Sequence, residues 1–145
     1  MNIQPQIIAE AYVQTKDEDL YDYKIFCFGG KAEGILFVSG RESELKKAFC
    51  DLHRNRQEDT FTRFMNDAAP LSLEQLGLMI RLSEKLSEGF SHVRVDFYIL
   101  NDGSVKFGEM TFSPASGLHD WDSAEQDRIF GDLLHLPAQK STGPV

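Results

Sequence analysis

Residues 92–117, HVRVDFYILNDGSVKFGEMTFSPASG, read as a β-hairpin that runs into a loop of small residues. Two alternating runs flank Asn101-Asp102-Gly103-Ser104. Asp-Gly is a strong turn signal, because both central residues of a type I′ turn need positive φ. A two-residue loop on Asp102-Gly103, or a four-residue loop with the same centre, sets one register. Leu100 then faces Val105, Tyr98 faces Phe107, Asp96 faces Glu109 and Arg94 faces Thr111. Side chains alternate along a strand, so Arg94, Asp96, Glu109 and Thr111 project from one side. Val95, Phe97, Ile99, Met110 and Phe112 project from the other and read as core. Two carboxylates directly opposite, with Cβ atoms roughly 5 Å apart, repel each other. A cation must offset that repulsion: Arg94 in part, or a divalent metal in full. A three-residue loop would slip the register by one and scatter the group.

The chain of 145 residues is long enough for one domain with a core of its own. The reading is a single domain over residues 1–137 and a flexible, Pro- and Gly-bearing tail over 138–145. No apolar run approaches the ~20 residues that a membrane helix needs. The start, MNIQPQIIAE, has no basic region and carries an early acid, unlike a signal peptide. A net charge of −8 argues against a nucleic-acid partner. It leaves a nucleotide open, because a metal can bridge acidic side chains to phosphates. Cys27 and Cys50 sit among apolar residues and read as buried thiols in a reducing compartment, so the cytoplasm is the expected location.

Local patterns place the remaining elements. Gln6 to Gln14 is a short apolar run that reads as a strand. Tyr21 to Phe28 alternates, with Tyr23, Ile25 and Cys27 on one face and Asp22, Lys24, Phe26 and Phe28 on the other. Gly29-Gly30 is a hairpin turn and Ala32 to Ser39 the return strand. Leu45 to His53 fits either a strand or a short helix, and Gln57 to Phe64 a loop. Leu71 to Phe90 is the clearest helix. Ser72 and Gln75 make a capping box, Leu76, Met79, Ile80, Ser83 and Leu86 make its apolar stripe, and Gly89 suits its stop. Asp122 with Glu125 suggests a second capping box, opening a helix to about Leu134 with Ile129, Phe130, Leu133 and Leu134 inward. The sum is an α+β fold: an antiparallel β-sheet with helices packed on one face. His92, His119 and His135 read as structural or surface residues, and Phe112 and Trp121 as packing.

R-x-D on one strand, E-x-T on its partner and S-P-x-x-G after it resemble the C-terminal end of ATP-grasp enzymes. DYKIFCFGGK, RVDFY, GEMTFSPASG and a closing LLHLP are similar to the TupA-like ATP-grasp group, linked to bacterial polysaccharide biosynthesis. The likeness covers roughly Ile7 to Pro137. It implies ATP and Mg²⁺ as cofactors, with Asp96 and Glu109 as metal ligands and Glu109 able to bridge two ions. Where that family usually has Asn, this chain has Thr111, whose hydroxyl is a weaker ligand. The resemblance also gives Arg94 to the transferred phosphoryl group or an acyl-phosphate intermediate, and turns Lys24 toward the nucleotide, where the residue by itself reads equally as a solvated lysine. Ser113, Ser116 and Gly117 would face the acceptor. IIAEAYV would be a hinge strand whose backbone at Glu10, Ala11, Tyr12 and Val13 meets the adenine. Asp19, with Asp17 and Glu18, supplies the candidates for the ribose acid.

Such enzymes activate a carboxylate as acyl phosphate for an amine or similar nucleophile. The partners implied are a nucleotide and a small-molecule or glycan-precursor acceptor, with no nucleic acid and no membrane span. No Gly-rich phosphate loop precedes Ile7, so an earlier lobe or a partner chain is expected to complete the nucleotide site. Two rival readings are a module that binds nucleotide or metal without catalysis and an inactive remnant.

Overall fold

Alternation along Asp22-Tyr23-Lys24-Ile25-Phe26-Cys27-Phe28 sends side chains to two faces, and the sheet is built around that strand. The structure, a computed structural model, describes residues 4–9, 20–40, 45–52, 71–117 and 123–136. Within them lie β1 (Asp22–Phe28), β2 (Lys31–Ser39), β3 (Lys46–Asp51), α1 (Leu73–Leu86), β4 (His92–Ile99), β5 (Val105–Thr111) and α2 (Ala124–Leu133). The strands form one sheet in the order β3-β2-β1-β4-β5. Every neighbouring pair is antiparallel, so the α+β class stands. Within the stretch Leu45 to His53, Lys46–Asp51 forms the edge strand β3, and His53 lies outside the described residues.

One face carries Tyr23, Ile25, Val93, Val95 and Phe97, all fully buried. Leu76, Met79 and Ser83 of α1 are the helix residues turned inward, and Leu76 and Met79 join that core. Leu86, expected on the stripe, is exposed instead. The other face carries Phe26 and Phe28, which pack with Phe130 of α2. The two helices therefore lie on opposite faces, where one covered face was the expectation. The physical reason is phase. Phe26 and Phe28 are offset by one residue from Ile25 and Cys27, so they form a second apolar strip that needs its own cover.

Local chemistry sets the ends of the helices. Ser72 Oγ accepts from the Gln75 N–H at 3.2 Å, and Gln75 Oε1 accepts from the Ser72 N–H at 2.7 Å. This capping box satisfies two otherwise orphan donors. Gln75 Nε2 also donates to the Gly103 carbonyl at 2.8 Å, tying the helix start to the β4–β5 turn. The N-cap of α2 is Ser123, one residue beyond the expected Asp122, which lies outside the described residues; its Oγ accepts from the Gln126 N–H. Residues 4–9 form no strand, and Ile7 and Ile8 are exposed. The sheet edges are β3 and β5, and residues 4–9 pair with neither. The expected loop at Gln57 to Phe64, the rest of the N-terminal run and the tail lie outside the described residues. No described helix is long and apolar enough to cross a membrane.

The hairpin differs from its expected register in two places that cancel. The Leu100 N–H donates to the Ser104 carbonyl at 2.9 Å, and the Gly103 N–H to the Leu100 carbonyl at 2.8 Å. The loop is therefore Asn101-Asp102-Gly103, with Gly103 alone at positive φ (+80°). That is the three-residue turn, and it slips the pairing to Ile99↔Val105, Tyr98↔Lys106 and Phe97↔Phe107. A bulge then restores Val95↔Met110 and Arg94↔Thr111. Gly108 and Glu109 together stand against Asp96, so the extra residue in β5 undoes the slip. Phe112 leaves the core face and is exposed, meeting Phe90 edge-on at 5.0 Å.

Glycine is required at the bulge. A Cβ on Gly108 would stand 2.8 Å from the Tyr98 ring and 3.2 Å from the Asp96 carbonyl. Gly108→Ala should cost about 1–3 kcal/mol through overpacking. The check is a lower urea midpoint at unchanged slope.

Candidate functional site

Asp96 is buried in β4, at 1% exposure. Lys24 lies directly across from it on β1, and Lys24 Nζ donates to Oδ2 at 2.6 Å. Arg94, two residues back on the same strand, grips both oxygens: Nε to Oδ1 and Nη2 to Oδ2, each at 2.7 Å. Bidentate pairs of this kind are the strong, directional ones. The same Nη2 reaches Glu109 Oε1 and Thr111 Oγ1 on β5, each at 3.1 Å. Thr111 Oγ1 donates to Glu109 Oε1 at 2.6 Å. Lys24 Nζ also lies 3.7 Å from the carboxylate of buried Asp22. Burial alone would lower the Arg94 pKa. Its bonds to Asp96 and the fields of Asp96, Glu109 and Asp22 outweigh that and hold it above the ordinary value. Of the two cations considered for the carboxylate pair, Arg94 stands between Asp96 and Glu109.

Among the described residues, no three His, Cys, Asp or Glu side chains form a metal cluster. The donor chemistry nevertheless suits a hard divalent ion. Two carboxylates and a hydroxyl share one face, and Mg²⁺ takes one or two carboxylates with water or phosphate completing its shell. Glu109, with its side chain 61% exposed, is the open end of the group, and Asp96 is the closed end.

The same face changes character one step along the strands. Phe26 pairs with Arg94, and Phe28 with His92. There a cavity of about 360 Å³ opens between the sheet, the 112–117 segment and α2. Ser113 and Gly117, two of the three expected acceptor residues, line it; Ser116 belongs to the same turn but not to the wall. Ala115 and Ser116 both hold left-handed backbone, at φ 49° and 58°, and the Ser116 N–H closes the turn onto the Ser113 carbonyl. His92 stacks on Phe28 at 4.4 Å. His92 Nδ1 is 3.0 Å from the Cys27 carbonyl. A carbonyl only accepts, so Nδ1 carries the proton and Nε2 keeps its lone pair in the neutral ring. Burial lowers the His92 pKa, the Cys27 bond opposes this in part, and the Arg94 charge adds to it.

The geometry on this face goes with a sequence-wide likeness. The family model described as TupA-like ATPgrasp matches residues 1–135. The chain belongs to the TupA-like ATP-grasp family. No curated protein matches it, and no solved structure does.

In this TupA-like chain, the fold brings Lys24, Arg94, Asp96, Glu109 and Thr111 into one bonded group. Glu10, Ala11, Tyr12, Val13 and Asp19, with Asp17 and Glu18, lie outside the described residues. Cys27 and Cys50 are free and buried, and burial pushes both thiols up to about 11, which suits packing and not nucleophilic work. His92 and Phe112, read from sequence as structural and packing residues, line the cavity. Their signal was there in part: His92 shares the phase of Arg94 and Asp96, as Phe26 and Phe28 share that of Lys24.

Asp96→Asn leaves two cations without their shared counter-charge, and should cost on the order of 3–5 kcal/mol. Glu109→Gln, at the exposed end, should stay within about 1 kcal/mol. Urea denaturation of both variants compares the two. The lowered His92 pKa also has a defined sign. Below the ordinary 6.5, the unfolded chain binds a proton that the folded ring resists. Stability should therefore fall as pH drops from 6.5 to the folded ring's lower value, and level off beneath it. His92→Asn should remove that component, as a difference between the two stability–pH curves in this window.

Proposed function

We propose that this chain is the Mg–ATP-binding catalytic lobe of an ATP-dependent, carboxylate ligase-like enzyme, working in the cytoplasm on a cell-surface polysaccharide precursor. The observation that carries the reading is the bonded group on one sheet face. Two cations, Lys24 and Arg94, are fixed by a buried carboxylate, and Glu109 and Thr111 stand at its open rim.

Asp96, Glu109 and Thr111 would hold Mg²⁺, which when bound offsets charge on the phosphate oxygens. Arg94 would meet the transferred phosphoryl group. Asp96 holds it there in advance, so little side-chain ordering remains for the moment of reaction. Lys24 would add a second positive charge from the same anchor. A carboxylate oxygen of the acceptor attacks the γ-phosphorus, the bond from that phosphorus to the bridging oxygen breaks, and ADP leaves with the electron pair. The acyl phosphate then goes to a nucleophile, with Ser113, Ser116 and Gly117 beside the acceptor.

One observation favours a second reading, a module that binds without turnover. Both oxygens of Asp96 are already engaged by protein cations. ATP turnover with any acceptor decides against it. Binding is tested by the thermal midpoint with ATP, with Mg²⁺ and with both. A ligand at a hundredfold excess over Kd should add about 2.7 kcal/mol of stability. The expected result is a shift that needs both components and disappears in Glu109→Gln. No shift under any condition would contradict the reading.

A further inference from the structure

We infer that the aromatic cavity is a binding site for an arylalkylamine, with the ring among the phenylalanines and the ammonium against Asp127. Its use as the nucleophile that receives an acyl group rests on the proposed function; its binding does not.

Size comes first. An apolar cavity of about 150 Å³ holds benzene, and this one is about 360 Å³, room for a ring and a short chain. Its walls suit a ring. Phe26, Phe28, Phe112 and Phe130 contribute aromatic surface, and Leu134 an aliphatic edge. Phe28 already stacks on His92 at 4.4 Å and on Phe130 at 5.8 Å. Aromatic pairs of this kind add to plain area burial.

The polar groups of the wall then choose the sign of the ligand's charge. Asp127 is the one charged residue of the wall, and it is an acid. Its carboxylate has no ion-pair or hydrogen-bond partner among the described residues. Arg128, the only cation of α2, pairs with Asp132 instead, at 3.5 Å. Arg94 is engaged elsewhere, by Asp96, Glu109 and Thr111. His92 spends its Nδ1 proton on the Cys27 carbonyl, so Nε2 offers only a lone pair. A negative charge and an acceptor nitrogen both ask for a donor. Phenylalanine faces attract a cation in the same sense.

The helix gives the spacing. Asp127, Phe130, Gly131 and Leu134 are the α2 residues on the wall, and their i, i+3, i+4, i+7 spacing puts them on one face. Three of the four are apolar or small, as a packed stripe should be. Asp127 breaks the stripe at its N-terminal end, about one turn, or roughly 5 Å, before Phe130 and Gly131. A ring beside those two residues and an ammonium beside Asp127 are joined by a short alkyl chain. Asp127 is exposed, so the ammonium keeps part of its hydration while the ring is buried.

The test is calorimetric titration of the full chain, without nucleotide, with 2-phenylethylamine, 2-phenylethanol, 3-phenylpropionate and butylamine. The expected result is 2-phenylethylamine binding about threefold or more tighter than the alcohol, the scale of an exposed ion pair. The acid and the ringless amine should be weaker by about tenfold or more, since one reverses the charge and the other loses the buried ring. Added salt should narrow the gap between amine and alcohol. Asp127→Asn, at an exposed position, should erase that gap. Gly131→Leu should weaken every ring-bearing probe, because a Cβ there meets nothing within 4 Å and the side chain fills the cavity without disturbing packing. Both variants should keep the parent's Mg–ATP thermal shift. No binding of 2-phenylethylamine, equal binding of the alcohol or the acid, an unchanged preference in Asp127→Asn, or unchanged binding in Gly131→Leu would overturn the inference. Binding of the amine with no Mg–ATP shift would uphold the cavity and remove the proposed function.

Discussion

The Asp96 carboxylate is the point on which this face of the sheet depends. A buried carboxylate is costly unless its charge is met. Here it is met from two sides, by Lys24 on β1 and by Arg94 on its own strand. The pairing fixes the Arg94 guanidinium, and the same nitrogen that holds Asp96 reaches Glu109 and Thr111 on β5. One buried acid thus links three strands and presents a fixed cation beside an open carboxylate. Well-packed apolar residues could have stabilised the sheet equally well. A charged group kept in the interior is the costlier solution, and a site for a multiply charged ligand is a physical reason for it.

The position of that group depends on backbone detail at the far end of the hairpin. The three-residue loop displaces β5 by one place, and the bulge at Gly108 returns it. Without the bulge, Glu109 and Thr111 would turn to the wrong face. The Gln75 link to Gly103 holds the turn against α1, so the helix on one face helps set the register that serves the other. That other face is divided along the strands into a charged half and an aromatic half. Only the aromatic half is packed by Phe130 of α2. The charged half lies one step along the strands from the cavity, on the same face.

Much of this was legible in local sequence. The alternation of Tyr23, Lys24, Ile25 and Phe26 placed β1 and its two faces, because period two is a strong local signal. Ser72 and Gln75 marked the helix start, because a capping box needs only four residues. The grouping of Arg94 with Thr111 also came through, although the hairpin reaches it by a different path. Asp-Gly signals a turn but does not fix its length, and the bulge depends on a contact between Gly108 and Tyr98 across the ladder. Less legible was anything set by distant contacts. The face taken by α2 depends on Phe130 meeting Phe26 and Phe28, over 100 residues apart in sequence. The cavity, with His92 and Phe112 in its wall, joins four separate segments and has no local signature.

The most direct test of a nucleotide–metal site on this hairpin is paramagnetic. Trace Mn²⁺ added with ATP relaxes amide signals according to their distance from the ion. The account predicts selective broadening at Asp96, Glu109 and Thr111, with residues of β3 such as Ala48 unaffected. Broadening centred elsewhere, or equal across the sheet, would contradict it.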